Sequence, residues 1–413
     1  MSTLGPLLIA WMLVLSVIQV LMLSKYLKTL RKAEQPLGDD SQYPPALAIL
    51  CLRGTDPFLG ECISRLLNSD YPRLTVRIVV DSPEDPSLPV VSALLAERND
   101  PRAELLILHA RQPHCSGKVS GLLFATESLP ADCEIVAWID GDSLLHRTAL
   151  KELADSLRDS SVGAVSGNRW YLPPGASLSG LTRMFWNAFA VPAMNMVGIL
   201  WGGCMATRAS DFRNPKLREL LAHSFIEDST ISSYVRSTSR KTQMVASAML
   251  LNRESISLRD YYRFATRQLF TVRIDNSRWF WLALHMLTLN ATLLLMLIPM
   301  ALPWLPWWPG ITLGYTVLLG ITLSAIPIGH QSVKRTLTVR GEDFPDITLA
   351  QWLLFPLAVL MPNQLNLLST FNTFFIHKLT WRGITYEFGR NPKCTIVDVK
   401  PLVVPHDPGQ SIV

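Results

Sequence analysis

The residues best able to do chemistry in this chain are acids at the abrupt ends of apolar runs. The run Ile135-Val136-Ala137-Trp138-Ile139 stops at Asp140-Gly141-Asp142-Ser143. A buried parallel strand carries such a run, and open α/β sheets bind ligands beyond the carboxyl ends of their strands. Two carboxylates one residue apart, with a glycine allowing close approach, suit a hard divalent cation of the kind that sits on a nucleotide's phosphates. A solvated Asp-Gly turn has the same residues. Asp81 ends a second apolar run, 74–80, and Phe225-Ile226-Glu227-Asp228 enters a helix predicted over 229–236. Each alone reads equally as a helix cap or a turn. Three in this order, two at the ends of buried strands, point to one acidic cleft.

Cations follow. The stretch Arg259-Asp260-Tyr261-Tyr262-Arg263-Phe264-Ala265-Thr266-Arg267-Gln268 is basic and aromatic, with Arg273 and Arg278 beyond it. Arg263 and Arg267 are four apart and share a helix face. That face suits a diphosphate gripped by bidentate guanidinium contacts. It equally suits anionic headgroups at a membrane surface, or plain solvent. Gly202-Gly203 let backbone approach a ligand closely, and a simple turn would use them too.

These residues need elements to position them. Strands are predicted at 47–52, 74–80, 104–109 and 135–139, and helices at 58–67, 118–129 and 149–157, with Asp56 and Pro57 as cap and first turn of the first helix. The βαβα order implies a parallel sheet with helices on both faces, in a domain spanning 46–276. Residues 177–200 are rich in Leu, Phe, Met and Trp but broken by Arg183, Asn187 and Pro192. They read as an interfacial or buried helix and not as a span.

The chain has 413 residues, 49% hydrophobic and 17% charged. About a quarter charged is usual for soluble domains, and long apolar runs explain the shortfall. Residues 4–24 are apolar, about the ~20 a spanning helix needs. No Lys or Arg precedes this run, while Lys25, Lys28, Arg31 and Lys32 follow it. That order excludes a secretory signal and favours an uncleaved anchor (1–24) with its C-terminal side in the cytosol, then a linker, 25–45. Residues 277–376 hold further membrane helices: spans at 279–303 and 311–328, then 349–376, broken by Pro356, Pro362 and Asn363, as one kinked span or a re-entrant hairpin. Positive charge after the second span, and in the tail 377–413, places both on the cytosolic side with the domain 46–276, which favours the hairpin. The six cysteines have no metal-ligand spacing and read as reduced core residues. The net charge of +5 does not argue for nucleic acid, and no obligate protein partner is evident.

Taken together, Asp81, Asp140-x-Asp142, Glu227-Asp228 and Arg267, between an N-terminal anchor and C-terminal membrane helices, resemble the processive-type GT-A glycosyltransferases. Arg53-Gly54-Thr55-Asp56-Pro57, Trp138-Ile139, Ile226-Glu227-Asp228 and Trp381-Arg382-Gly383 with Tyr386 resemble the ceramide glucosyltransferase-like branch, of family 2/21 type, over residues 46–386. The departure is at Phe264 and Gln268, where that wider group has Gln or Arg and a tryptophan. The resemblance implies a membrane-bound inverting hexosyltransferase. Asp81 would contact the base or ribose of a UDP-sugar. Asp142, helped by Asp140, would hold Mg²⁺ or Mn²⁺ on the diphosphate. Glu227 and Lys118 would line the donor site, Arg267 with Lys118 would neutralise the diphosphate, and Asp228 would be the general base. The acceptor would be a membrane lipid, ceramide or a diacylglycerol or hopanoid-like lipid. A processive polysaccharide synthase is the alternative, disfavoured by few hydrophobic segments and the missing tryptophan. A non-catalytic relative or a transporter is disfavoured by the intact acids and the lack of charge within the spans.

Overall fold

The structure is a computed structural model and describes residues 3–276, 278–390 and 393–402. Strands β1 (Ala46–Leu52), β2 (Leu74–Val80), β3 (Ala103–Ile107), β4 (Ile135–Ile139), β5 (Val162–Tyr171), β6 (Cys204–Arg208) and β7 (Lys241–Asn252) form one sheet in the order β3-β2-β1-β4-β6-β5-β7. β1 pairs parallel with β2 and β4, β2 with β3, and β5 with β7. β6 alone runs against its neighbours, β4 and β5.

The apolar runs are continuous because both sheet faces are covered. β1 sends Ala48, Leu50 and Leu52 into one core, and Leu47 and Ile49 into the other. β4 divides likewise, with Ala137 and Ile139 opposite Val136 and Trp138. The intervening helices are α1 (Leu4–Leu30), α2 (Leu59–Leu67), α3 (Ser87–Arg98), α4 (Gly117–Ala125), α5 (Ala149–Leu157), α6 (Leu178–Val197), α7 (Ala209–Phe212), α8 (Pro215–Ala222), α9 (Glu227–Ser237) and α10 (Leu258–Asp275). α2 and α5 line the first core through Ile63, Leu66 and Leu153. α4, α8 and α9 line the second through Leu122, Leu217 and Ile231.

The four predicted strands are β1 to β4. β5 to β7 escape the sequence reading because buried strand positions carry polar residues. In β5, Ser166, Asn168 and Arg169 are buried, and Asn168 is satisfied by donating to Ala246 O at 2.7 Å. The helix predicted from Asp56 and Pro57 starts instead at Leu59 without a side-chain cap.

α11 (Trp279–Leu295), α12 (Leu297–Met300), α13 (Trp308–Val339) and α14 (Leu349–Thr373) follow. Four helices, Leu4–Leu30, Trp279–Met300, Trp308–Val339 and Leu349–Thr373, are long and apolar enough to cross a membrane, so this is an integral membrane protein. α1 and α13 share a core of Met12, Leu15, Ile311, Tyr315 and Leu318.

α14 corrects the hairpin reading. It runs unbroken through Pro356 and Pro362; packing by neighbouring helices lets such prolines persist. It lies lengthwise on α6 and α10. Gln351 donates to Gly175 O at 3.4 Å near one end, and Arg273 donates to Thr373 O at 2.8 Å at the other. Between them the rings of Phe185 and Phe355 meet at 4.7 Å. Its opposite face leaves Leu353, Leu360, Leu368 and Phe371 exposed. The chain then returns as a small antiparallel sheet, β8 (Lys378–Trp381), β9 (Ile384–Phe388) and β10 (Cys394–Val399). Residues 403–413 of the tail lie outside the described residues.

Candidate active site

Parallel pairing brings the strand ends level. Val80 pairs with Leu52, so Asp81 follows β2 beside Arg53 after β1. Leu50 pairs with Ile139, so Asp140 follows β4 at the same edge. α9 and α10 deliver their residues from the side. One cavity at this edge is lined by all seven sequence-predicted residues: Asp81, Lys118, Asp140, Asp142, Glu227, Asp228 and Arg267. Arg263 is not among them. It is exposed, one turn nearer solvent, and pairs with Asp260 at 3.3 Å.

Lys118 is the hub of the acidic side. Its Nζ lies 2.6 Å from Asp140 Oδ1 and 2.6 Å from Glu227 Oε1, and it donates to Gly202 O at 3.1 Å. Burial opposes its charge, but the two carboxylates outweigh burial and raise its pKa. Burial likewise opposes the charge on Asp140, and Lys118 overcomes it, holding that carboxyl below its usual range. A solvated Asp-Gly turn would show neither effect. Asp142 accepts from Ser143 Oγ at 2.9 Å and stands 3.4 Å from the Arg169 guanidinium.

Asp228 behaves differently. Burial and the neighbouring Glu227 charge push its pKa up to about 7, against the pull of Lys118. Its Oδ2 accepts from the Gly202 backbone at 3.0 Å, which fixes the carboxyl at the cavity wall. The paired glycines let this happen. A Cβ on Gly202 would meet Glu227 Oε1 at 2.5 Å and Asp228 Oδ2 at 3.1 Å, and one on Gly203 would meet the Trp201 ring at 2.0 Å and Asp140 Oδ2 at 2.7 Å. Close backbone approach is thus required at Gly202 by the carboxylates themselves, and at Gly203 first by the Trp201 ring.

The cavity also has a cationic wall. Arg169, Arg183, Arg267 and Arg382 line it, and Nε of Arg169, Arg183 and Arg267 is buried without a partner among the described residues. Burial, then the charges of Arg382 and Arg169, lower the Arg267 pKa to about 10. Arg267 stacks on Trp381 at 4.8 Å. A tryptophan therefore reaches the site from β8, although position 268, next to Arg267, is glutamine. Asp81 differs from expectation in its partners: its carboxylate accepts from Arg53 and from Arg111, the latter at 2.9 Å through Nε.

The small sheet closes the site. Its β8–β9 turn puts both central residues at positive φ, Arg382 at 47° and Gly383 at 75°, the backbone of a two-residue hairpin turn. An arginine there is strained by about 1 kcal/mol. Its guanidinium is anchored by Asp56 at 2.6 Å and donates to Arg53 O at 2.7 Å. Burial, the largest influence, raises the Asp56 pKa to about 6 against the pull of Arg382. Tyr386 Oη accepts from Gly117 N at 3.1 Å, at the start of α4. Arg169, Arg183, Asp56 and Arg382 were not singled out as site residues. Arg169 and Arg183 have no motif around them, Asp56 mimics a helix cap, and Arg382 is remote in sequence, marked only by the Trp381-Arg382-Gly383 resemblance.

The sequence profile of glycosyl transferase family 21 matches residues 8–394. The chain belongs to that family. It is a glycosyltransferase built on a mostly parallel α/β sheet. A ceramide glucosyltransferase from Candida albicans is 34% identical to this glycosyltransferase over 74 residues, 17% of this chain and 14% of that relative's own length. A mannosyltransferase from Pyrobaculum calidifontis, solved in complex with GDP-Man and Mn²⁺, is similar across 89% of this chain and 99% of its own, at 16% identity and a TM-score of 0.46. S. aureus TarS 1-349 is similar across 86% and 100%, at 13% identity and a TM-score of 0.37.

Proposed function

We propose that this family 21 enzyme moves a hexose from a UDP-sugar, UDP-glucose being the first candidate, to the hydroxyl of a membrane lipid, ceramide or one of similar shape, giving a β-glycolipid. The observation that carries this reading is a second, apolar chamber. Trp186, Phe189, Leu269, Val272, Leu282 and Met286 line it, from α6, α10 and α11. Trp201, Ile226, Asp228, Gln268 and Thr271 line both it and the charged cavity. An apolar corridor between membrane helices thus ends on a carboxyl whose pKa is near neutrality. A lipid tail fits the corridor, and its hydroxyl would arrive at Asp228.

The donor's diphosphate would lie along the cationic wall, where Arg267 and Arg169 have unused donors and pre-set positive charge stabilises a leaving phosphate. Asp81 would accept from the base or ribose in exchange for its Arg111 contact. Asp142 and the free oxygen of Asp140 offer hard oxygen ligands. Mg²⁺ and Mn²⁺ need only one or two carboxylates when the substrate's phosphates complete the shell, so these residues fit such an ion. When bound it would neutralise charge on the departing UDP. Asp228 removes the proton from the acceptor hydroxyl as that oxygen bonds to the anomeric carbon. The bond from that carbon to UDP breaks on the opposite side, which inverts the α-linked donor to a β-glycoside. The catalytic domain would face the cytosol, on the side where Lys25 to Lys32 follow α1.

Membranes containing wild type or Asp228→Asn, supplied with radiolabelled UDP-glucose, UDP-galactose or UDP-N-acetylglucosamine and Mg²⁺ or Mn²⁺, test the reading. Label passing into the organic phase with wild type alone supports it. Label in a water-soluble polymer would replace it with a polysaccharide synthase, and equal label in both samples would remove Asp228 from the mechanism.

A further inference from the structure

Away from both chambers, a cavity of about 470 Å³ lies where α1 leaves its apolar stretch, between the C-terminal end of α6 and the start of β7. Its charged lining residues are Lys25, Lys32, Arg236, Arg240, Lys241 and Arg278, and no carboxylate lines it. Three of these cations are held by backbone carbonyls or by an ion pair. Lys25 donates to Asn195 O at 3.0 Å and Met196 O at 3.3 Å, and Arg278 donates to Val197 O, so both cap the carbonyl end of α6. Arg240 pairs with Asp211 at 2.6 Å. Lys32, Arg236 and Lys241 form no ion pair among the described residues. Arg236 donates through Nη2 to Ser233 Oγ at 3.2 Å, while its Nη1 is buried without a partner among the described residues. Burial, then the like charge of Arg278, weakens the proton affinity of Arg236. Cations held close together without a counter-charge are stabilised by an incoming anion, and the guanidinium fork matches phosphate oxygens.

The position selects the source. Val17, Val20 and Leu21, one to two turns before Lys25 on α1, are exposed and apolar, as is Met196 at the cavity rim. In a membrane these face acyl chains, which puts the cavity at headgroup depth. We propose that this cavity binds a phosphate anion, with the headgroup of an acidic phospholipid as its source, its acyl chains lying along α1. The site also touches the enzyme's machinery. The α6 end held by Lys25 and Arg278 leads within a few residues to Trp201 and to Gly202, which donates to Asp228. An anion here would steady that end of α6.

The test uses the full chain purified in neutral detergent micelles. Phosphatidylglycerol, phosphatidylcholine or inorganic phosphate is titrated in, and the Tm is followed. Phosphatidylglycerol is expected to raise the Tm saturably, and phosphatidylcholine to leave it unchanged. Each cation removed should weaken the response about fivefold, so Lys32→Gln/Arg236→Gln/Lys241→Gln should shift the midpoint about a hundredfold. Arg236→Gln alone, a milder change, should shift it about fivefold should the triple variant fold poorly. Lys28→Gln/Arg31→Gln, which removes charge from the same helix end but outside the cavity, should keep the wild-type midpoint. Equal shifts in the control and cavity variants would reduce the effect to diffuse surface charge and overturn the site. An unchanged midpoint in Arg236→Gln would overturn it too. A full response to inorganic phosphate at the same concentration would keep the anion site and overturn the lipid as its source.

Discussion

At the scale of single residues, the two carboxyls that meet at Gly202 divide their duties by environment. Glu227 is tied to Lys118, while Asp228 is pushed toward a neutral pKa by burial and by Glu227 itself. In its proposed role as base, Asp228 must be unprotonated, so protons would compete with activity. Turnover should fall about tenfold per unit as pH drops below about 7 and level off above it. A pH profile of kcat/KM checks this, and Asp228→Asn should lose about a thousandfold in kcat and with it the acid limb. Arg267 is a half-buried cation whose Nε is buried without a partner among the described residues. Arg267→Gln should reduce kcat/KM for the proposed nucleotide-sugar donor about a hundredfold, in line with one charged hydrogen bond to a leaving diphosphate. Initial rates against donor concentration measure it, and a change confined to the acceptor's KM would remove Arg267 from the donor side.

At the scale of elements, the Arg382–Asp56 pair joins the small sheet to the loop after β1. Removing one partner of a buried pair leaves a stranded charge. Arg382→Ala should therefore destabilise by about 3 kcal/mol, and Asp56→Asn in the same chain should restore part of it. Thermal unfolding of the two variants and their double mutant decides this. Gly203→Ala should suffer in activity, because the added methyl would meet the Trp201 ring at 2.0 Å and Asp140 Oδ2 at 2.7 Å. The same elements explain what the sequence disclosed. β1, β2 and β4 were legible because two covered faces demand unbroken apolar runs, and those runs stop at Asp81 and Asp140. β5 was not, because Asn168 and Arg169 take buried partners that only tertiary packing supplies. Asp56 next to Pro57 follows the local pattern of a helix start, while its actual partner is Arg382, over three hundred residues on. Local pattern locates acids at strand ends; it cannot locate a cation that arrives from the far end of the chain. Trp381 shows the same limit, since the ring stacked on Arg267 comes from another strand.

At the scale of the whole molecule, α14 meets the criteria of length and apolarity for a span, yet both of its ends touch the domain that carries the site. With the small sheet packed at the acidic edge, the tail and the catalytic residues must share one side of the membrane. Single cysteines placed at Lys393 and Asp398 in a background lacking the native cysteines should react with a membrane-impermeant maleimide only in inverted vesicles, as should one at Glu84 beside Asp81. Opposite sidedness of the tail and Glu84 would make α14 a true span and dismantle the contact of Arg382 with Asp56. The contribution of the small sheet also bears on how the enzyme comes into being. Ribosomes make chains from the N-terminus, so Asp81, Asp140 and Asp228 emerge first and Arg382 and Tyr386 follow only after every membrane helix has been made. During synthesis the nascent catalytic domain has its carboxylates but lacks its closing wall. A site that depends on Arg382 and Tyr386 would thereby be completed only after the last membrane helix has been made.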